Sequence, residues 1–368
     1  MTYAEALRSP TRIPRFKIEW MDKNEQVVNE ITSDLLSGSI NITLQNGVRR
    51  TCQLNLNNKN GDYIPDKNGL IWLEKKFKIY TGLQINGVDY FNEQGVFNLG
   101  NPINAGYMSE RTAQIEAYDN FSLLNGSISG TLDADYVIDV GSSLTDVVIQ
   151  LFSDAGIIKS PIVYPNSEIL PYTLTKKIGD TYESILTELA DIVSWEVFFD
   201  TDGRPRFQPP TNADIANAVW DFGETEVTWL GSDHNYDFLS VKNYIVVIGD
   251  NINGDLAYAT AQDDNIFSPT SVARIGKRTK TIEDSNIYSD ALAQDRADYE
   301  LKQAIQIIEN ADMKCIPVDT LKEGDIVTID ESDNGFNRER YIIKGINLNL
   351  NYNQEETLNI SKVYTTIA

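Results

Sequence analysis

Four of the Asn-Gly and Asp-Gly dipeptides in this chain constrain its fold more than any other feature of the sequence. Each lies between two runs that are rich in β-forming residues, and the pairs are Asn46-Gly47, Asn86-Gly87, Asp202-Gly203 and Asn253-Gly254. Such pairs readily adopt the positive φ angles of tight hairpin turns. Runs such as SINITLQ and TCQLNLN alternate apolar and polar residues, which predicts strands with one buried face. The chain is therefore predicted to be mainly β, with short antiparallel strands.

Two amphipathic helices are predicted in the middle of the chain. In the first, Ser142 or Ser143 is the cap, Gly156 is the stop, and the apolar face carries Leu144, Val147, Val148, Leu151, Phe152 and Ala155. In the second, Asp180 is the predicted cap, Glu183 completes a capping box, and the apolar stripe is Ile185, Leu186, Leu189, Ile192 and Val193. Both patterns repeat at the helical period, and the caps are residue types that bind free backbone N–H groups.

A third, longer helix is predicted from about Ser289 to Asn310. Its apolar residues are Leu292, Tyr299, Leu301, Ala304, Ile305 and Ile308. Strands then return in DIVTID, ERYIIKGINLNLN and TLNISKV. The last strands resemble the first ones in their pattern, which indicates two related β domains.

The order of these elements predicts an α+β, mainly β fold with three domains. Residues 1–132 form a first small antiparallel β-barrel with an N-terminal arm, and residues 133–231 form an inserted α+β domain. Residues 232–368 form a second small β-barrel domain that includes the long helix at about 289–310. A chain of 368 residues is long enough for two or three domains of ordinary size.

The charge of the chain argues against nucleic-acid binding. The sequence has 31 Lys and Arg residues against 54 Asp and Glu residues, a net charge of −23, whereas a nucleic-acid-binding protein must supply cations to replace phosphate counterions. The segment 1–125 is nearly balanced, with 13 basic and 14 acidic residues, while 126–231 has 5 basic and 17 acidic residues. The middle segment is therefore expected to be solvated or to set up a negative field.

The sequence predicts neither secretion nor a membrane span. Its first 16 residues lack a basic start followed by an apolar core, and no apolar run approaches the roughly 18 residues that a membrane span requires. The two cysteines, Cys52 and Cys315, stand far apart and outside any C-x-x-C pattern, so they are expected to be small core residues. The chain is expected to be made and assembled in a cytoplasm.

No catalytic, cofactor-binding or metal-binding residue is predicted, and no cofactor. His234 is the only histidine, and its neighbours Ser232 and Asp233 do not argue for a catalytic triad, since triads form in space and not along the chain. His234 is expected at a surface or in a turn. With 54 acidic residues, no carboxylate pair can be selected as glycosidase-like, and no glycine-rich phosphate loop matches.

Two further patterns leave alternatives. Asn58, Asn60 and Asp62 place oxygen side chains at alternate positions as a calcium loop does, but they lack its glycine and glutamate spacing, so a turn between strands is favoured. The apolar residues near the Asp202-Gly203 turn could form a sugar-stacking platform or one face of a core, and core is favoured because an amphipathic helix precedes them. Those residues are Val193, Trp195, Val197, Phe199 and Phe207.

Several segments together resemble the tail hub proteins of tailed bacteriophages. They are GDYIP (61–65), NGLIW (68–72), KKFKI (75–79), ATAQ (259–262), SPTSVARIGKRTKTIED (268–284), AQDRADYELKQA (293–304) and LKEGDIVTI (321–329). They span most of the chain in the order expected for that family. By this resemblance, the segment 55–80 is a strand, a turn and a strand of the first barrel, with Trp72 as a packing anchor.

The resemblance implies a structural protein and not an enzyme. It implies a homotrimeric, pseudo-sixfold ring of two barrels per chain at the tail tip or baseplate of the virion. Such a ring contacts the tail tube or distal tail protein above and the tape-measure, spike or fibre proteins below, and leaves a channel for DNA ejection. It implies no membrane contact and no specific nucleic-acid binding. Some members of that family carry a cell-wall hydrolase domain after the barrels, and this chain, which stops at Ala368, is expected to lack one unless another gene encodes it. The alternative is a tail-associated peptidoglycan hydrolase or glycan-binding module.

Overall fold

The protein is described from a computed structural model that covers residues 1–107, 110–213, 215–223, 226–250, 256–284, 287, 289–305, 308–331, 336–351 and 355–362. The chain divides into two compact units. The larger unit comprises Met1–Ser232 and Asp312–Ala368, and the smaller unit comprises Asp233–Ala311. The cut after Ser232 lies one residue from the predicted boundary at 231, whereas the cut after Ala311 was not predicted and none falls at 132. The three-domain division itself stays a prediction.

The first 125 residues contribute one short helix and eight strands to the larger unit. They are α1 (Tyr3–Leu7), β1 (Pro14–Met21), β2 (Val27–Ile31), β3 (Leu35–Thr43), β4 (Arg50–Asn57), β5 (Lys76–Ile85), β6 (Val88–Leu99), β7 (Ile103–Tyr107) and β8 (Glu110–Asp119). Asn86 and Gly87 have φ angles of 52° and 82° between β5 and β6, and Gly47 has a φ of 98° between β3 and β4. Both turns predicted in this region are confirmed.

The middle of the chain contains a single 3-10 turn followed by short strands and two helices. They are Asn120–Leu123, β9 (Tyr136–Ile138), α2 (Leu144–Asp154), β10 (Ile162–Val163), β11 (Leu174–Lys176), α3 (Tyr182–Val193), β12 (Glu196–Phe199) and β13 (Pro205–Gln208). The hairpin of β12 and β13 is confirmed, with Gly203 at a φ of 73°.

The start of α2 is confirmed, whereas the start of α3 differs from the prediction. Ser143 caps α2 by accepting a hydrogen bond from the backbone N–H of Asp146. The cap of α3 is Thr181, whose Oγ1 accepts from the N–H of Ser184. Asp180 does not cap the helix, because its carboxylate accepts from the N–H of Lys177 and closes the preceding turn.

One apolar core unites these helices with the hairpin. Its fully enclosed members are Phe121, Leu124, Leu132, Ile138, Leu144, Val148, Leu151, Phe152, Leu170, Leu174, Ile185, Leu186, Leu189, Ala190, Val197, Phe199 and Phe207. The predicted apolar faces of both helices therefore point inward. The first three members precede residue 133, so the chain on both sides of that position contributes to the same core.

The rest of the chain supplies the remaining strands and two helices. They are β14 (Ala218–Gly223), β15 (Trp229–Asp237), β16 (Tyr244–Gly249), β17 (Tyr258–Gln262), α4 (Val272–Ile275), β18 (Thr279–Asp284), α5 (Asp290–Ala304), β19 (Ile308–Cys315), β20 (Ile326–Glu331), β21 (Phe336–Asn349) and β22 (Glu356–Lys362). The predicted turn at Asn253-Gly254 lies outside the described residues, but the flanking strands β16 and β17 pair antiparallel as expected.

A continuous run of hydrogen-bonded strands connects the two ends of the sequence within the larger unit. Its order is β22-β21-β3-β4-β8-β6-β5-β1-β2. The pairing of β21 with β3, from Gly345 opposite Thr43 to Asn349 opposite Ser39, joins the last β segment to the first. The mainly β, α+β class is confirmed, whereas the closure of these strands into two barrels stays a prediction.

The smaller unit is a three-stranded sheet covered by one helix. Strand β16 pairs antiparallel with β17 and parallel with β18. The helix α5 packs on this sheet, and the shared core consists of Ile245, Val247, Ala257, Ala259, Ala261, Ile287, Ala293 and Ala297.

The predicted long helix is shorter than expected, and only part of its predicted apolar face packs on the sheet: Leu301 and Ala304 contact the core. It ends at Ala304, and β19 begins at Ile308. Its buried residues are Ala293, Ala297 and Glu300, while Leu292 and Tyr299 are 38% and 51% exposed. Alanines allow the helix axis to approach the sheet closely, and Leu292 and Tyr299 lie outside the closest contact.

Cys52 and Cys315 are both buried and unbonded to each other, as expected. None of the helices in the described ranges is both long and apolar enough to cross a membrane.

Candidate functional site

The most concentrated chemistry of the larger unit is a buried group of charges where the first, middle and last parts of the chain meet. We call this group the junction, and its members are Arg49, Arg50, Asp119, Glu196 and Glu323. Arg50 Nη2 lies 2.6 Å and 2.8 Å from the two carboxylate oxygens of Glu323, and the two side chains are 2% and 3% exposed. Arg50 Nη1 also donates to the carbonyl oxygen of Phe199 at 2.7 Å. A single arginine therefore connects β4, the β12 hairpin and the segment before β20.

Arg49 reinforces the same connection. Its Nη2 lies 3.0 Å from Glu196 Oε2, its Nε donates to the carbonyl of Gln45 at 2.7 Å, and its guanidinium stands 3.6 Å from the ring centroid of Phe198. Burial lowers the pKa of Arg49, with the carboxylate of Glu196 opposing that effect. The planar guanidinium suits this role because it binds carboxylates and stacks on aromatic rings at once.

Asp119 fixes the backbone beneath the two arginines. Its Oδ2 accepts from the N–H groups of Arg49 and Arg50 at 2.9 Å each, and its Oδ1 accepts from Phe121 N–H at 3.0 Å. Burial raises its pKa to about 6, although these hydrogen bonds favour the charged form. The oxygens of Asp119 are occupied by backbone donors, so its role is to hold the junction in place.

The tip of the β12–β13 hairpin docks on the first β segment. Asn120 Nδ2 donates to the carbonyl of Gly203 at 3.0 Å, and Lys78 Nζ lies 2.8 Å from Asp202 Oδ1. A Cβ added at Gly203 would stand 2.8 Å from Val96 Cβ, which is closer than carbon atoms pack. The α+β region is therefore fastened to the first sheet by close packing as well as by charge.

The N-terminal arm is fastened to the last β segment. Tyr3 Oη donates to Asp319 Oδ2 at 2.6 Å, and Arg12 Nη1 donates to the carbonyl of Pro317 at 2.7 Å. Beside them the buried Glu356 accepts from Val318 N–H at 3.0 Å and from Cys315 Sγ at 3.6 Å. The pKa of Glu356 is raised to about 7, chiefly by burial and also by the nearby carboxylate of Asp319, while the backbone hydrogen bond from Val318 opposes both.

A raised carboxyl pKa makes a testable contribution to the pH dependence of stability. Between the ordinary pKa of about 4.5 and the folded value of about 7 the folded state binds the Glu356 proton more tightly than the unfolded chain. The stability that Glu356 contributes is therefore present at low pH and is lost as the pH rises through about 7. Glu356→Gln is expected to unfold like the parent protein at pH 4, and to be about 1–3 kcal/mol more stable than it at pH 8.

Urea unfolding of both proteins at pH 4, 6 and 8 measures this difference. Glu355→Gln is the control, because that neighbouring side chain is 46% exposed. A difference that stays constant with pH, or that matches the control, would show that Glu356 does not titrate in this range.

The histidine considered in the sequence lies elsewhere than predicted. His234 is part of β15, its side chain is only 10% exposed, and its Nδ1 lies 3.1 Å from Glu309 Oε1. The expectation of a surface or turn histidine was wrong, because the alternation of β15 turns this side chain inward. Ser232 Oγ donates to Glu331 at 3.1 Å, and Asp233 is exposed. The structure does not bring the three residues together as a triad.

The possible sugar platform is core, as favoured. Val197, Phe199 and Phe207 are fully buried, and Val193 and Trp195 pack against them. Val193 belongs to the end of α3 and not to the hairpin.

The possible calcium loop is a turn, and the first of its three candidate ligands, Asn58, is engaged within the protein. Asn58 is 4% exposed, its Oδ1 accepts from Tyr63 N–H at 3.1 Å, and its Nδ2 donates to Asn104 Oδ1 at 2.9 Å. Across the described residues, no group of three His, Cys, Asp or Glu side chains is arranged to hold a metal ion. The fully buried anchors of this segment are Tyr63 and Ile71, whereas Trp72 is only partly buried.

The junction was missed in the sequence. One signal could have found half of it: Arg50 occupies an inward position of β4, in step with Cys52, Leu54 and Leu56. A charged residue at an inward position requires a buried partner. Nothing local to Arg50 identifies that partner as Glu323.

The architecture is that of tail proteins from phages and prophages, and the predicted resemblance is confirmed at the level of the fold. The chain is similar to a tail protein from Neisseria meningitidis MC58, with a TM-score of 0.66 and 13% identity over 94% of this chain and 96% of that one. It is similar to the 43 kDa tail protein of prophage MuSo2 from Shewanella oneidensis, with a TM-score of 0.65 and 12% identity over 94% and 97% of the two chains.

A third similar structure comes from a secretion system. It is the E. coli c3393 protein, a component of the type VI secretion system described as similar to the T4 bacteriophage tail proteins gp27 and gp5. The TM-score is 0.52 at 11% identity, over 90% of this chain and 74% of that one. No protein-family model matches the chain, and no curated protein sequence matches it. At these identities the likeness establishes the fold.

Proposed function

We propose that the protein is a structural component of a phage or prophage tail, and specifically its hub. The observation that carries this proposal is the extent of the fold match, which covers 94% of this chain and 96–97% of two tail proteins. Because the match extends over nearly the whole of both chains, little of either protein is left to have a different fold. The likeness of the similar E. coli protein to T4 gp27 and gp5 supports the hub over other tail parts.

The hub works as a homotrimeric, pseudo-sixfold ring. Each chain supplies two small β-barrels, so three chains match a sixfold tail tube above and a threefold spike or fibre below. The ring leaves a channel for DNA ejection, contacts the distal tail and tape-measure proteins, and is assembled in the host cytoplasm before it becomes part of the virion tail tip or baseplate. Closed cyclic symmetry lets a chain use unlike surfaces for self-contact without forming fibres.

The contacts between distant segments of the chain support a structural role for the protein. The junction and the β3–β21 pairing connect residues from the two ends of the sequence, and a rigid protomer transmits load between neighbours in an assembly. The protein acts by binding its neighbours and has no catalytic activity of its own.

The expected oligomer is three 41.3 kDa chains. Native mass spectrometry of the purified protein, and the copy number per purified tail, measure this. Three copies in the tail with a monomer in isolation still agree with the proposal, because contacts on the tube can drive assembly. A stable monomer in solution together with one copy per tail would contradict it.

Incubation with host peptidoglycan tests the absence of catalysis. No release of soluble fragments is expected. Fragment release that a single carboxylate substitution abolishes would show that the protein is a hydrolase.

A further inference from the structure

The outer face of the joined sheet carries two rows of polar side chains that run across the strands. The first row crosses four neighbouring strands, and each of its residues lies opposite the next: Asn349 of β21, Ser39 of β3, Gln53 of β4 and Glu116 of β8. The second row runs parallel to the first and consists of Ser37, Asn55 and Gln114. Because successive side chains of a strand point to alternate faces of the sheet, these residues lie on the other face from the buried side chains of the same strands.

The rows line a cavity of about 590 Å³, with Asn101, Ile103 and Asn351 at its rim. This volume lies within the usual range for small-molecule sites. The described lining contains amides, hydroxyls and one carboxylate, Glu116, and no Lys, Arg or His. In a protein in which 23% of the residues are charged, a cavity with one charged side chain offers mainly neutral hydrogen-bonding groups to a ligand.

Two amide oxygens in this cavity lack a donor. Asn55 Oδ1 and Asn351 Oδ1 are buried and have no hydrogen-bond partner among the described residues. Buried acceptors are normally satisfied, so these two oxygens are available to a donor from outside the described residues, such as a bound molecule.

We propose that this cavity binds an uncharged oligosaccharide. Sugar hydroxyls donate to amide and carboxylate oxygens and accept from amide N–H groups. Both the acceptors and the donors that a sugar needs are supplied by the side chains of Gln53, Asn55, Gln114 and Glu116 taken together. The exposed side chain of Ile103, at 59%, offers an apolar contact at the rim.

The same features disfavour other occupants. A polyanion or a phosphorylated lipid needs cations, and the described lining has none. A second copy of this chain has a net charge of −23, and the described lining offers no cation to attract it. A peptide cannot add as a strand, because β3, β4 and β8 are each already paired on both sides.

Isothermal titration of the full chain with neutral tetrasaccharides of glucose and of N-acetylglucosamine tests the proposal. Saturable binding of at least one of them is expected. Asn55→Ala is expected to weaken it about tenfold, while Asn55→Asp, which keeps the acceptor, should retain most of the affinity.

Asn347→Ala is the matched control, because Asn347 is an exposed amide of β21 that does not line the cavity. It is expected to leave binding unchanged. Absence of binding by every probe, or equal weakening by Asn55→Ala and Asn347→Ala, would overturn the proposal. Protection of strands β3, β4 and β8 from hydrogen exchange on oligomerisation would also overturn it, since the cavity would then be an interface between copies. None of these outcomes bears on the role of the protein in a tail.

Discussion

Arg50→Ala is expected to lower the free energy of unfolding by about 3–5 kcal/mol. The substitution leaves the carboxylate of Glu323 buried at 3% exposure without its principal cation, and frees the carbonyl oxygen of Phe199. A buried charge stripped of its partner costs several kcal/mol, far more than the net value of the intact pair. Urea unfolding monitored by circular dichroism measures the loss.

Two further variants show whether the loss comes from the buried pair. Lys177→Ala removes an ion pair whose side chains are 70% and 47% exposed, so the urea midpoint of this variant is expected to match that of the parent protein within the error of the measurement. The double variant Arg50→Met with Glu323→Met removes both charges and is expected to recover much of the stability. A loss below about 1 kcal/mol for Arg50→Ala would mean that Glu323 finds another partner or reaches water.

Gly203→Ala is expected to destabilise the protein by about 2–4 kcal/mol. An alanine there must adopt a φ of 73°, and its Cβ would stand 2.8 Å from Val96 Cβ and 2.9 Å from Asn120 Nδ2. The first effect is a conformational cost of about 1–2 kcal/mol, and the second is overpacking that pushes the hairpin away from the first sheet.

Gly156→Ala separates these two effects. Gly156 has a φ of 74°, nearly the same as Gly203, but a Cβ added there meets nothing within 4 Å. Its substitution should therefore cost only the conformational part, about 1–2 kcal/mol. If the two alanine variants unfold at the same urea concentration, the hairpin tip is not tightly docked on the first sheet.

The sequence predictions were accurate where the interactions are between near neighbours in the chain, and less accurate where distant residues take part. Helix α2 was predicted with its cap and its buried face, because its periodicity and its serine lie within one short segment. The cap of α3 was misplaced by one residue, since Asp180 and Thr181 are adjacent and both residue types can cap. The N–H of Lys177 engages Asp180, and that contact decides between them.

Helix α5 shows how packing overrides an apolar pattern. Large apolar residues predicted the buried face, but the sheet of the smaller unit accepts Ala293 and Ala297 and leaves Tyr299 half exposed. The distance between a helix and its sheet depends on the side chains of both, so the helix sequence alone does not define which face is buried.

The sequence by itself determined the strand content, the hairpin turns and the two helices of the middle region, because alternation, helical periodicity and turn residues act over a few neighbours. Only the tertiary structure decided that β21 pairs with β3 and that Arg50 meets Glu323, 273 residues away. Many strands of this chain share the same alternating pattern, so local residues do not identify a partner. The choice depends on which arrangement buries the apolar faces of the whole unit while it gives buried polar and charged groups a partner, and that requirement involves all the segments at once.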